Sequence, residues 1–115
     1  MKYFIPRSVT KICKRAFSYC TYLKKVEIPT NSNLQTIEEL TFFYSNIDEI
    51  FIPRSVTKIC DDAVSYCHEL QIIEISEESQ LQSISKSSFN YCGRFIIMIP
   101  SSLKELIIID DFDDF

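Results

Sequence analysis

The sequence predicts a solenoid of short parallel strands stacked rung upon rung, and three observations carry that prediction. Residues 4–13 read FIPRSVTKIC, and residues 51–60 spell the same ten letters. Five isoleucines, Ile5, Ile28, Ile52, Ile75 and Ile99, are separated by 23, 24, 23 and 24 residues. Within each interval the same apolar positions return in the same order, which is how a stacked repeat differs from a catalytic motif.

The strands are read from alternation. Val26/Ile28, Ile50/Ile52, Ile73/Ile75 and Ile97/Ile99 have period two, and Pro29, Pro53 and Pro100 close three of these pairs, with Ser76 at the fourth. β-branched residues favour the pleated surface, and a proline cannot donate to a ladder, so each unit offers one strand of about four residues ending at a corner. The returns are read from a different period. Thr10 to Cys20 has apolar positions at Ile12, Ala16, Phe17 and Cys20, the inner stripe of one or two helical turns. Parallel strands about 4.8 Å apart with short helical or turn returns then make the solenoid, and no unit buries its apolar face alone.

The units fall into two classes. Those starting at Ile28 and Ile75 carry two extra residues after the strand (TNSNL, SEESQL) and lose one before the next. A short and a long unit form one block, so FIPRSVTKIC recurs 47 positions on. Residues 1–109 are expected to form one repeat domain of about five units. Residues 110–115 are expected to form an acidic tail that either caps the last rung through Phe112 and Phe115 or is disordered.

Composition excludes several functions. The net charge of −4 is accounted for by Asp110, Asp111, Asp113 and Asp114, leaving residues 1–109 neutral. No basic cluster is available to displace counterions from phosphates, so no nucleic-acid partner is expected. The start MKYFIPRSV reaches Pro6 and Arg7 before an apolar run of signal-peptide length, and the apolar stretches are far short of the roughly 20 residues that span a bilayer. Neither a Sec-type signal nor membrane insertion is expected. His68 is the single histidine and Gly93 the single glycine, so neither a His-oriented nucleophile nor a glycine-rich phosphate loop can be assembled. No catalysis, cofactor or metal is expected.

Five cysteines occupy two columns, Cys13/Cys60 and Cys20/Cys67/Cys92. Partners two rungs apart lie about 10 Å from each other, beyond the roughly 7 Å Cα limit for a disulfide, so only Cys67 and Cys92 could bridge. Buried thiols acting as small apolar fillers are the expectation, and an odd count suits a reducing compartment.

The remaining candidates are on the strands. With Val26 and Ile28 inward, the residues between and before them face the concave side. That places Phe4, Glu27, Phe51, Glu74 and Met98 in one column, and Lys2, Lys25, Glu49, Ile72 and Ile96 in another. Exposed aromatic and aliphatic side chains there suggest a contact surface, although the same residue types also stabilise a sheet by cross-strand pairing. Tyr3 and Ile5 are expected to begin an unprotected edge strand, an aggregation liability unless another chain covers it, which fits either a remnant of a longer relative or a chain that pairs with something.

The pattern IPRSVTKICKRAFSYCTYLKKVEIP, with C-x-x-L-x-x-V-x-I-P and I-x-x-x-A-F-x-x-C, resembles the BspA-like, or Treponema-type, leucine-rich repeats. Alternation with NSNLQTI or ESQLQSI units is similar to the surface-antigen BspA-like proteins of trichomonads. The resemblance implies a leucine-rich-repeat solenoid that binds a protein or glycoprotein partner, often in adhesion at a cell surface. The residues themselves also fit a structural element that pairs with copies of itself or with longer relatives, or an intracellular scaffold. Surface display follows from the resemblance, whereas the missing leader and span suggest the cytoplasm, so the compartment stays open.

Overall fold

A computed structural model describes residues 1–100. It contains nine parallel strands: β1 (Lys2–Phe4), β2 (Lys11–Ile12), β3 (Lys25–Glu27), β4 (Thr36–Ile37), β5 (Glu49–Ile52), β6 (Lys58–Ile59), β7 (Ile72–Ile75), β8 (Ser83–Ile84) and β9 (Ile96–Met98). Odd-numbered strands stack into a five-stranded sheet and even-numbered strands into a four-stranded one. The chain therefore winds as a β-solenoid, matching the leucine-rich-repeat class expected of it. Each unit supplies two strands, where alternation revealed one. The second is only two residues long, too short for a period to register, and it is fixed by pairing such as Ile12↔Ile37 and Ile59↔Ile84.

Between the two sheets lies a continuous core. Ile5, Ile28, Ile52 and Ile75 are buried in one column, Ile12, Ile37, Ile59 and Ile84 in a second, and Leu34, Val56 and Leu81 in a third. They belong to one cluster that runs from unit to unit, so apolar burial holds neighbours together.

The returns are not helices, apart from a single 3-10 turn at Lys86–Phe89 among the described residues. Successive N–H groups alternate between two destinations. Ala16, Ser18, Thr41, Phe43 and Ser45 donate to the carbonyl three residues back, closing local turns. Arg15, Phe17 and Tyr19 donate to Glu39, Thr41 and Phe43 of the next unit, and Leu40, Phe42 and Tyr44 donate onward to Asp61, Ala63 and Ser65. The turns give helix-like spacing of apolar positions, which is why that spacing suggested a helix. A helix would keep every N–H for its own segment, whereas here half of them tie units together.

Short and long units share this frame because the corner absorbs the difference. In short units one turn suffices, with Val9 N–H donating to Pro6 and Val56 N–H to Pro53. Long units turn at Pro29–Ser32 and Ser76–Ser79, then use the serine hydroxyl to accept from Leu34 N–H at 3.0 Å and Leu81 N–H at 3.1 Å. Buried Ser32 thereby pairs the backbone group that the insertion would orphan.

The cysteine column is polar as well as space-filling. Cys67 Sγ donates to the Phe42 carbonyl at 3.0 Å and Cys92 Sγ to the Val64 carbonyl at 2.9 Å. None of the five cysteines is joined in a disulfide; Cys60, Cys67 and Cys92 are buried, but Cys13 is exposed and Cys20 half-buried. Those two depart from the expectation of buried fillers because no described unit covers the first rung. The acidic tail lies outside the described residues.

Phe42 is fully buried and stacks on Phe17 at 5.4 Å with rings 6° apart. Phe42→Ala should cost about 3–5 kcal/mol in urea unfolding, by lost burial and the cavity left behind. A cost below about 1 kcal/mol would mean that this column is not the centre of the core.

Candidate interaction surface

The strands position the predicted surface residues by register. Lys2↔Lys25, Lys25↔Glu49, Glu49↔Ile72 and Ile72↔Ile96 are paired in sequence, giving one continuous column on the outward face of the five-stranded sheet. The second column is built in two pieces, Phe4↔Glu27 and Phe51↔Glu74↔Met98. It is interrupted because β3 and β5 register only at Lys25↔Glu49, whereas β5 and β7 share four pairs. At this looser junction lies a shallow depression of about 90 Å³, lined among others by Lys25, Glu27, Glu49, Phe51, Ile72 and Glu74.

Charge is distributed unevenly along the face. In the first units, Lys2 Nζ is 3.1 Å from Glu27, and Lys25 Nζ is 3.0 Å from Glu49 and 3.5 Å from Asp48. The hydrogen bond to Glu49 raises the Lys25 ammonium above its usual pKa, with Asp48 and Glu49 charge adding to the rise and desolvation opposing it. Asp48 Oδ1 is buried and lacks a hydrogen bond, so its contact with Lys25 is an ion pair at longer range. Lys2 also lies 5.5 Å over the Phe4 ring. These exposed pairs mainly neutralise one another and each adds little stability.

The later units differ. Ile96 is 65% exposed and Met98 52%, while Phe51 and Ile72 are half-buried beside them. Glu74, paired in register with Phe51 and Met98, forms no salt bridge among the described residues. The face thus passes from self-neutralised charge to an apolar area holding one carboxylate. Phe4, 67% exposed, stands apart at the first strand.

A second column escaped sequence reading. Tyr19, Tyr44, Tyr66 and Tyr91 stack in one row, with centroids 5.3, 4.8 and 4.8 Å apart and rings within 24° of parallel. All four have φ of 59–60°. Arg15, Leu40 and Asp62 form a parallel left-handed column at φ 54–64°. That region costs a non-glycine residue about 1–2 kcal/mol, which ring stacking of about 0.5–1.5 kcal/mol per pair and the onward N–H bonds of Tyr19, Tyr44 and Tyr66 offset. Burial raises the Tyr66 phenol above its usual pKa, reinforced by Tyr91, Tyr44 and Asp62. The signal was present as a tyrosine before each member of the Cys/Ser column (SYC, FYS, SYC, NYC), but left-handed backbone has no apolar period to reveal it.

Stacked two-sheet rungs, a shared apolar core and an exposed strand face define a leucine-rich-repeat solenoid. The chain belongs to the BspA type leucine rich repeat region family, whose profile matches residues 2–108 in six copies. It is similar to a solved structure of a leucine rich cell surface protein from Faecalibacterium prausnitzii A2-165, with 26% identity and a TM-score of 0.67. That likeness covers 96% of this chain and 35% of the other, so the chain spans about a third of that protein. Among curated proteins nothing matches. Such repeats are generally non-catalytic and generally mediate protein interactions. No helix among the described residues is long and apolar enough to cross a membrane.

The tyrosine ladder yields a paired prediction. Tyr66→Ala should destabilise the fold by about 1–3 kcal/mol, losing two stacked neighbours while keeping the left-handed strain of a Cβ. Tyr66→Gly loses the same stacks without that strain and should unfold at higher urea than Tyr66→Ala. The reverse order would show that φ at this position carries no penalty.

Proposed function

We propose that the chain is a non-catalytic binding module that holds a protein or glycoprotein through the outward face of its five-stranded sheet. The observation that carries this reading is the apolar area around Glu74. Phe51, Ile72, Ile96 and Met98 are presented to solvent in register, next to a carboxylate with no cationic partner among the described residues. Apolar anchors beside one unneutralised charge suit a partner that offers an aliphatic or aromatic side chain next to Lys or Arg. The ion-paired residues Lys2, Lys25, Glu27 and Glu49 form the polar side of the same surface, and Phe4 is a further contact at its end.

Adhesion at a cell surface is the setting this reading favours, supported by family membership and by likeness to a protein described as a cell surface protein. A panel of purified extracellular-matrix glycoproteins, immobilised for surface plasmon resonance, tests it. Binding to at least one should weaken about tenfold or more in Phe51→Ala and in Glu74→Lys, with unchanged melting temperature, while Arg54→Ala at the corner binds as the parent. Equal binding by all three variants would remove the sheet face from the interaction.

A further inference from the structure

Four of the chain's six tyrosines share the row Tyr19, Tyr44, Tyr66 and Tyr91. Its inner pair, Tyr44 and Tyr66, is carried by returns that have a described unit on either side, and the two rings lie 4.8 Å apart and 10° from parallel. Both residues have φ of 60°, so the side chains leave equivalent backbone and equivalent ring carbons lie opposite one another. Two further rings hold the pair from its edges, Phe43 at 5.2 and 5.4 Å and His68 at 5.9 and 6.1 Å. Tyr44 is 39% exposed and Tyr66 half-buried, so both are within reach of solvent. A row of phenylalanines would stack too. What tyrosine adds is an oxidisable phenol.

A phenol that gives one electron to an oxidant and its O–H proton to water becomes a phenoxyl radical, with the unpaired electron shared between the oxygen and the two ring carbons beside it. Stacked faces let that radical pass from ring to ring along the row. Phe43 has no hydroxyl and takes no part, and Cys67 Sγ lies in the core on the Phe42 carbonyl at 3.0 Å. When a second electron is removed, two radicals meet on neighbouring rings. Their ortho carbons join, and the hydrogen on each joined carbon moves through water to the oxygen, restoring both phenols. Two tyrosines thus become one dityrosine with the loss of two electrons and two protons. The haem of a peroxidase takes up those electrons and protons by reducing hydrogen peroxide to two waters.

We propose that Tyr44 and Tyr66 are a site of oxidative modification, coupled by a one-electron oxidant of the peroxidase class into a dityrosine that staples two adjacent units through their returns. The new bond closes a loop of 22 residues across a junction held by N–H bonds such as Phe42 to Ala63 at 2.7 Å and Tyr44 to Ser65 at 3.1 Å. A cross-link of this span restricts the unfolded chain as a disulfide does, so the modified protein is the more stable one. The site is on the returns and not on the strand face, and the inference stands or falls independently of the binding reading.

Photo-oxidation of dilute protein by tris-bipyridyl ruthenium with persulfate, a one-electron oxidant that also works in urea, tests the site. Trypsin cleavage after Arg54 and Lys58 puts Tyr44 and Tyr66 in different peptides, so mass spectrometry reads the link directly. The folded chain should yield these two peptides joined, lighter than their sum by two hydrogens, with dityrosine fluorescence in the monomer band of a denaturing gel. The joined pair should be lost when the same oxidation is run in urea, which dissolves the stack, and lost in Tyr66→Phe. Tyr22→Phe removes the most exposed tyrosine, 84% exposed and outside the row, and should leave the link unchanged. Absence of the joined pair from the folded chain, an equal yield in urea, or its loss in Tyr22→Phe would overturn the proposal. If Tyr66→Phe fails to fold by circular dichroism, the parent chain with and without urea decides the matter alone.

Discussion

Backbone hydrogen bonding between units is the constraint from which the rest of this molecule follows. A strand of two to four residues has little stability of its own, and a return of local turns has less. Both persist because alternate peptide groups reach the neighbouring unit, through strand pairs on one side and through bonds such as Phe17 to Thr41 and Phe42 to Ala63 on the other. Such bonds form only if every unit comes back to the same place. Hence the near-constant repeat length, and hence the serine hydroxyls of Ser32 and Ser79 that take up the extra residues of the long units. The core columns follow from the same register, since Ile12, Ile37, Ile59 and Ile84 meet only because their strands do.

Keeping that register around a tight return puts left-handed backbone at two positions in the first three returns, and at Tyr91 in the fourth, where the 3-10 turn at Lys86–Phe89 takes the other position. Glycine would take those positions at least cost, yet the chain places tyrosine in one column and Arg, Leu or Asp in the other. The tyrosines recover the cost collectively, because rings held at the inter-unit spacing stack face to face. Stability is consequently shared between neighbours, and a unit without a neighbour on one side loses hydrogen bonds, burial and stacking together. The first unit shows this directly in its exposed Cys13 and Ala16.

The strand face obeys a different logic. Its inward residues are fixed by the core, but its outward residues are constrained only by pairing, so their chemistry can vary from unit to unit. Two duplicated blocks have diverged accordingly: Lys25 and Glu27 in one correspond to Ile72 and Glu74 in the other. The first part of the face is occupied with its own ion pairs, and the second presents apolar side chains around Glu74. A repeat scaffold thereby carries a surface that is not itself repeated.

Much of this was determined by the sequence alone. Periodicity in Ile and Leu established the spacing of the units, the inward columns, the parallel stacking and the register of Lys2 with Lys25, Glu49, Ile72 and Ile96, because burial imposes a repeating pattern on the residues it uses. Tertiary structure decided what has no such pattern. The second strand of each unit is too short to show alternation, and the returns take helix-like spacing from local turns whose remaining N–H groups leave for the next unit. The tyrosine row depends on backbone φ, which apolar spacing does not report. Whether a thiol is buried depends on the presence of a neighbour, which is why Cys13 and Cys60, identical in local sequence, differ in exposure. Local sequence specifies what a unit can pair with, and only the assembled stack specifies which of those pairings is made.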